Sequence, residues 1–125
     1  MKKYSLKIEL KENPVPYKRT TQRAKFVCSD YMKYLEFRKL LQIEFLRQNK
    51  VAYFEAFDKN KTYEYNLKIG FKNKKHGDAD NIVKCVLDAL FKNDKGVLRG
   101  VYEVMSFKKA FLELEICEFN FNERL

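Results

Sequence analysis

The run Thr62–Phe71 constrains the fold most, because its apolar residues occupy every second position without a break. The apolar set is Tyr63, Tyr65, Leu67, Ile69 and Phe71, and the residues between them are Glu64, Asn66, Lys68 and Gly70. A period of two is typical of a strand that buries one face and leaves the other in water. The run therefore predicts a half-buried strand near the middle of the chain.

A helix is predicted directly after this strand and a short polar loop. From about Asp80 to Phe91 a broad apolar stripe recurs at helical spacing. Its members are Ile82, Val83, Val86, Leu87, Leu90 and Phe91. Asp80, Lys84 and Asp88 recur every four residues along one edge of that stripe, so a charged row borders the core.

The first half of the chain adds one strand and one long helix. Alternation over Tyr4–Leu10 predicts a strand, which the two prolines of Asn13–Pro16 end because neither can donate to a sheet ladder. A helical pattern then runs from Ser29 or Asp30, either of which is a reasonable N-cap, to about Gln48.

Two further strands are predicted after a turn at Asn93–Gly96. They cover Val97–Phe107 and Ala110–Phe121, with Lys108-Lys109 between them at a candidate hairpin tip. Val51–Phe57 is either a short strand or the exit of the first long helix. The order is then roughly β-α-(β)-β-α-β-β, which predicts an α+β fold with a small mixed or antiparallel sheet and two main helices.

Size and charge limit the domain count and the partners. At 125 residues the chain is the length of one domain, so we expect residues 1–125 to fold together. The net charge of +9 favours an anionic partner, either nucleic acid or an acidic membrane surface.

The compartment follows from what the sequence omits. No run approaches the 18 apolar residues of a spanning helix, and no secretion signal is visible, so we expect no insertion into a membrane. The three cysteines form no C-x-x-C pair, which argues against a disulfide framework and a zinc site. Free thiols in a reducing cytoplasm are expected.

Two acids lie between the central strand and its helix. If the chain is extended there, side chains two residues apart point the same way with α-carbons about 7 Å apart, so Asp78 and Asp80 can reach one hard cation. Just upstream, Lys72, Lys74 and Lys75 form a basic run without an acid, which suits a polyanion. The stretch therefore predicts a site for magnesium and a phosphate.

Other basic residues are weaker candidates for contacts with phosphates. Lys18, Arg19 and Arg23 follow the prolines and can reach phosphates, although such a cluster is more often a solvated surface. His76 is the only histidine and lies beside the acids, where it can contact phosphate or assist proton transfer. A lone histidine in a loop more often does neither.

The residues GDADNIVK at Gly77–Lys84, followed by Asp88-Ala89-Leu90, resemble the D-x-D-N-x-x-K…D-A-L signature of the RusA family of Holliday junction resolvases. The likeness extends to the Pro-rich basic turn, the long helix and the two-strand finish. It implies a homodimeric endodeoxyribonuclease that uses magnesium, or manganese in its place, and nicks four-way DNA junctions symmetrically in recombination and repair. The implied setting is the cytoplasm of a bacterium or a phage-infected cell.

The resemblance also implies roles for individual residues. Asp78 and Asp80 match the two carboxylates that hold the metal, and Asn81 matches the asparagine of the motif. Lys84 matches the catalytic lysine, which would steady charge in the transition state or position the attacking water.

The third acid of the family has no clear counterpart. The family usually has a D-D pair before a valine-containing strand, whereas this chain has only Asn93-Asp94 in a shortened turn. If that pair is the substitute, Asp94 is the third catalytic and metal-binding acid. A gapless alignment instead places Leu98-Arg99 there, which cannot bind a metal, and Glu103 is a weaker candidate.

Each of these residues also has an ordinary structural explanation. Asp80 can be an N-cap and Asp78 a turn residue, while Lys84 can pair with Asp88 and stabilise the helix by about 0.3–0.5 kcal/mol.

Two other functions stay open. One is a basic DNA- or RNA-binding module in which the acids only cap a helix, and the other is a related nuclease that acts on other branched or flap DNA.

Overall fold

The computed structural model describes residues 2–17, 29–51, 57–58 and 60–122. Within those residues it contains four strands, two helices and one 3-10 turn. In chain order they are β1 (Lys3–Glu9), α1 (Ser29–Asn49), β2 (Thr62–Gly70), α2 (Ala79–Leu90), the turn Asp94–Gly96, β3 (Val97–Ser106) and β4 (Phe111–Phe119). These bounds agree with the predicted elements to within two residues. Val51–Phe57 lies mostly outside the described residues.

The strands form one mixed sheet in the order β1-β4-β2-β3. β4 is antiparallel to β1 and to β2, whereas β3 is parallel to β2. β3 can run parallel to β2 because α2, which lies between them in the chain, returns the chain to the end of the sheet at which β2 begins. The prediction of an α+β fold with a small mixed sheet and two main helices is confirmed.

The predicted hairpin at Lys108-Lys109 is wrong, because β2 lies between β3 and β4. β3 runs parallel to β2 and ends beside it, so residues 107–110 must cross the end of β2 to begin β4. Gly70 permits this crossing. A Cβ atom there would clash with the carbonyl oxygen of Lys109 and the ring of Phe111, so no larger residue fits.

Both helices contribute to one hydrophobic core with the sheet. Leu41 of α1 and Ile82 and Leu90 of α2 are completely buried, as are Ile69 and Leu112 of the sheet. Burying one such side chain contributes about 1.5–3 kcal/mol of transfer free energy. On the opposite face, exposed ion pairs join neighbouring strands, at 3.4 Å for Lys3–Glu115 and 3.6 Å for Lys7–Glu113. The sheet therefore has one buried and one open face.

The end of α1 closes the outer edge of β1. The Asn49 side chain accepts from the backbone nitrogen of Ser5 at 3.0 Å and donates to its carbonyl oxygen at 2.7 Å. Gln48 makes the same pair of bonds to Lys7, at 2.9 and 2.8 Å. These two amides satisfy backbone groups that a further strand would otherwise bond.

Neither of the two described helices combines the length and the apolar character that crossing a membrane requires.

Candidate active site

The acidic motif lies where β2 ends and α2 begins. Asp78 is the residue before α2, with an extended backbone (φ −62°, ψ 137°), and Asp80 is the second residue of the helix. The strand-like spacing predicted for these two acids is therefore wrong, because Asp80 is already helical. Both side chains are exposed at the N-terminus of α2.

The two carboxylates have oxygen atoms available for a ligand. Asp78 occupies the N-cap position, yet its side chain makes no capping hydrogen bond, so Asp80 is not the N-cap. One oxygen of Asp80 accepts a bond of 3.1 Å from the backbone nitrogen of Asn81. Among the described residues, no ion pair engages either acid. An acid in the first helical turn gains about 0.3–1 kcal/mol from the helix dipole, but this does not occupy its oxygens.

Lys84 lies one turn after Asp80 on the same side of α2. Its ammonium lies 4.9 Å from the ring centroid of Tyr17, a cation–π contact. The alternative pairing with Asp88 does not form, since Asp88 instead bonds to Tyr34 and Arg38 of α1. Lys84 is thus held beside the acids without a described carboxylate partner.

The segment before the basic loop holds that loop in place. The Asn13 side chain accepts from the backbone nitrogen of Lys72 at 2.6 Å and donates to the carbonyl oxygen of Lys75 at 2.8 Å. Pro16 packs against Gly77, where an added Cβ would lie 2.9 Å from the proline Cγ. The sequence showed only that these prolines end β1, because their role depends on contacts with residues about sixty positions away.

The basic surface is larger than the sequence indicated. Lys72, Lys74 and Lys75 are exposed as predicted, and Lys108 and Lys109 are exposed in the connection that crosses the same end of β2. The backbone nitrogen of Phe71 bonds to the carbonyl oxygen of Ser106 at 2.9 Å, which joins the two loops. No local pattern could reveal this, since it follows from the parallel pairing of β2 and β3.

Three aromatic rings lie together at this end of the sheet. The His76 ring stacks on Phe71, with ring centroids 3.8 Å apart and planes 11° apart. Phe107 lies 5.4 Å from His76 at an interplanar angle of 28°. The sequence predicts His76 as a phosphate contact and Phe107 as the end of a strand, and the structure places the two rings side by side.

Beside His76 the surface is concave. A cleft of about 290 Å³ is lined by the proline segment, the basic loop and the first turn of α1. Its lining includes Pro14, Pro16, Lys33, Lys75 and His76. The site therefore combines exposed acids, lysines and a partly apolar cleft.

The structure does not bring Asp94 to this site. Asp94 begins the turn after α2, whereas Asp78 precedes α2. Because α2 has 12 residues, its first and last turns lie about 18 Å apart. The prediction that it completes the site with Asp78 in its own subunit is therefore wrong. Glu103 pairs with Lys68 in the middle of β2 and lies on the open face, away from the helices. No cluster of three metal-binding side chains is found in the described part of the chain.

The remaining predicted contacts, Lys18, Arg19 and Arg23, lie outside the described residues. Neither protein-family models nor curated proteins match this chain. The resemblance to the RusA family therefore remains an interpretation of the motif.

Proposed function

We propose that this chain is a magnesium-dependent endodeoxyribonuclease that resolves four-way DNA junctions, as its resemblance to the RusA family implies. The observation that carries the proposal is the state of Asp78 and Asp80. They are exposed, lack ion-pair partners among the described residues and lie beside Lys84 and a basic surface. A purely capping role for Asp78 is disfavoured by its missing side-chain bond.

The donor set fits magnesium. Mg²⁺ is commonly held by one or two carboxylates, with water and substrate phosphate completing its octahedron, so Asp78 and Asp80 can provide its first protein ligands. When bound, the ion supplies an activated water and stabilises charge on the phosphate. The ammonium of Lys84 steadies the charge that develops on the non-bridging oxygens.

The lysines of both loops would grip the DNA backbone. Lys72, Lys74, Lys75, Lys108 and Lys109 carry charge to the end of the sheet that also carries the acids. Phosphate contacts of this kind confer affinity and orientation but do not read base sequence. Preference for a branched substrate would come from the shape that two symmetric subunits present.

The outer edge of β3 supports a homodimer. Unlike β1, it has no side-chain amide cap among the described residues. It also exposes large apolar side chains on both faces. They are Leu98, Val101, Tyr102 and Met105, which are 44–62% exposed. A long, uncapped apolar edge is suited to pairing with another strand.

Pairing of β3 with the same strand of a second copy would be self-complementary. If the two strands run antiparallel about Val101, position 99 of one copy lies opposite position 103 of the other, so both copies use the same surface. This arrangement also brings the partner subunit's Asp94 to the end of the sheet that carries Asp78. A third acid would then come from the other subunit.

Cleavage and binding of a synthetic four-way junction test the proposal. We expect the protein to nick the junction with magnesium but not with EDTA, and Asp80→Asn to abolish nicking while binding is retained. Glu36→Gln, which removes an exposed acid from α1, should cut like the wild type.

The same assay separates the alternatives. Binding without nicking under any metal condition would support the basic DNA- or RNA-binding module. Faster cutting of flaps than of four-way junctions would support a nuclease for other branched DNA. Equal loss of binding and nicking in Asp80→Asn would contradict a catalytic role for this acid.

A further inference from the structure

We propose that the exposed rings of His76 and Phe107 form a stacking platform for an unstacked nucleobase of the bound DNA. The base would belong to a nucleotide next to the phosphate held at Asp78 and Asp80. This inference rests on the proposed function, because it specifies what part of a branched DNA the same site recognises.

The platform is rigid because of what lies beneath and beside it. The His76 ring stacks on Phe71 with ring centroids 3.8 Å apart, and Phe71 is completely buried, so the surrounding core holds it in place. The imidazole is also oriented by a bond of 2.7 Å between Nδ1 and the carbonyl oxygen of Gly77.

Phe107 is held at a defined position although 44% of it is exposed. The Ser106 hydroxyl accepts from the backbone nitrogens of Lys108 and Lys109, at 3.0 and 3.2 Å. These bonds shape the turn that begins at Phe107. The Phe107 ring is within 18° of parallel to Phe71 and 28° of parallel to His76, so the rings present similarly oriented faces.

The surroundings indicate a nucleobase rather than an aliphatic ligand. Two loops with five exposed lysines flank the rings, and a polyanion that also carries planar rings satisfies both features. An apolar peptide or acyl chain would gain nothing from those lysines. Stacking of bases on aromatic rings between basic residues is the usual mode of binding single strands.

A base with a free face is required, because bases inside a continuous duplex already stack on their neighbours on both faces. A branch point leaves bases that are easily unstacked, so the platform would favour branched over linear DNA. His76 is only two residues from Asp78, at most about 7 Å along the chain. A single nucleotide can therefore place its base on the rings and its phosphate near the acids.

The test measures binding of a four-way junction that carries 2-aminopurine at the branch point, in EDTA so that no strand is cut. We expect wild-type binding to quench 2-aminopurine fluorescence, which reports stacking. Phe107→Ala should weaken junction binding about tenfold or more and abolish the quenching, with little effect on a linear duplex. Phe107→Trp should retain both properties.

Two control variants distinguish the loss of aromatic stacking from the loss of apolar side-chain volume and from a general loss of stability. Phe107→Leu keeps an apolar side chain without an aromatic face, so it should behave like Phe107→Ala. Phe121→Ala removes an aromatic residue that is 58% exposed elsewhere, and it should bind like the wild type. All variants should melt near the wild-type temperature.

The outcomes distinguish this inference from the proposed function. Junction binding and quenching that survive in Phe107→Ala would overturn the platform and leave the nuclease proposal standing. Conversion of a dimer to a monomer by Phe107→Ala would also overturn it, since the ring would then belong to the subunit interface. Failure of the wild type to bind junctions would overturn both.

Discussion

The hydroxyl of Tyr34 donates a hydrogen bond of 2.5 Å to the carboxylate of Asp88, and this bond joins α1 to α2. Arg38 approaches the same carboxylate at 3.4 Å. Burial, and then the bond to Asp88, raise the pKa of Tyr34 well above its ordinary range. Asp88 therefore holds the two helices together.

Replacing Tyr34 by Phe should lower the free energy of unfolding by about 1–2 kcal/mol, because it removes a bond to a charged group. Urea denaturation measures the loss. Tyr31→Phe is the matched control, since Tyr31 lies on the same helix and contacts Tyr34 through its ring. Similar losses in both variants would contradict the importance of the bond.

Stability should fall at alkaline pH, partly because of Cys85. Burial raises the pKa of this thiol from 9.0 to about 12. Between these values the folded protein keeps the proton that the unfolded chain releases, so unfolding becomes more favourable as pH rises. The raised pKa of Tyr34 also makes unfolding more favourable as the pH rises.

Urea midpoints at pH 7, 9 and 10 measure this effect. Cys85→Ala should be less stable at pH 7, because the thiol is completely buried, yet its stability should fall less between pH 9 and 10. An equal fall in both proteins would exclude the thiol as a cause.

Removing the cap on β1 should destabilise the protein and expose a sheet edge. Asn49→Ala deletes both bonds to Ser5 and should lower the free energy of unfolding by about 1 kcal/mol. Light scattering should detect stronger self-association, because the freed backbone groups can pair with another strand. Lys39→Ala, an exposed substitution on the same helix, should change neither quantity.

On the proposed function, Asp94 acts in the site of the other subunit. Asp78→Asn and Asp94→Asn should then each be inactive alone, whereas a mixture should regain about a quarter of wild-type nicking. Half of the dimers would contain one subunit of each variant. In such a mixed dimer both substitutions fall in one site, so the other site is intact. Junctions should be nicked on one strand only. An active Asp94→Asn variant would remove this acid from the site.

Much of the local structure could be predicted because it depends on periodicity. The alternation over Thr62–Phe71 placed β2, and the apolar stripe after Asp80 placed α2 and the acids at its start. Strand pairing could not be predicted in the same way. The few residues between β3 and β4 suggested a hairpin, but pairing depends on which strands bury apolar faces side by side, and β2 took the place between them.

The sequence by itself determined the α+β class, the order of the elements and the placement of Asp78, Asp80 and Lys84 around the start of one helix. Local spacing specifies these features. Only the tertiary structure decided that the lysines of two separate loops and the ring of Phe107 lie at the end of β2 that leads to these acids, and that Asp94 lies at the other end. The physical reason is the parallel alignment of β2 and β3, which brings distant loops to one end of the sheet and sends the turn after α2 to the other.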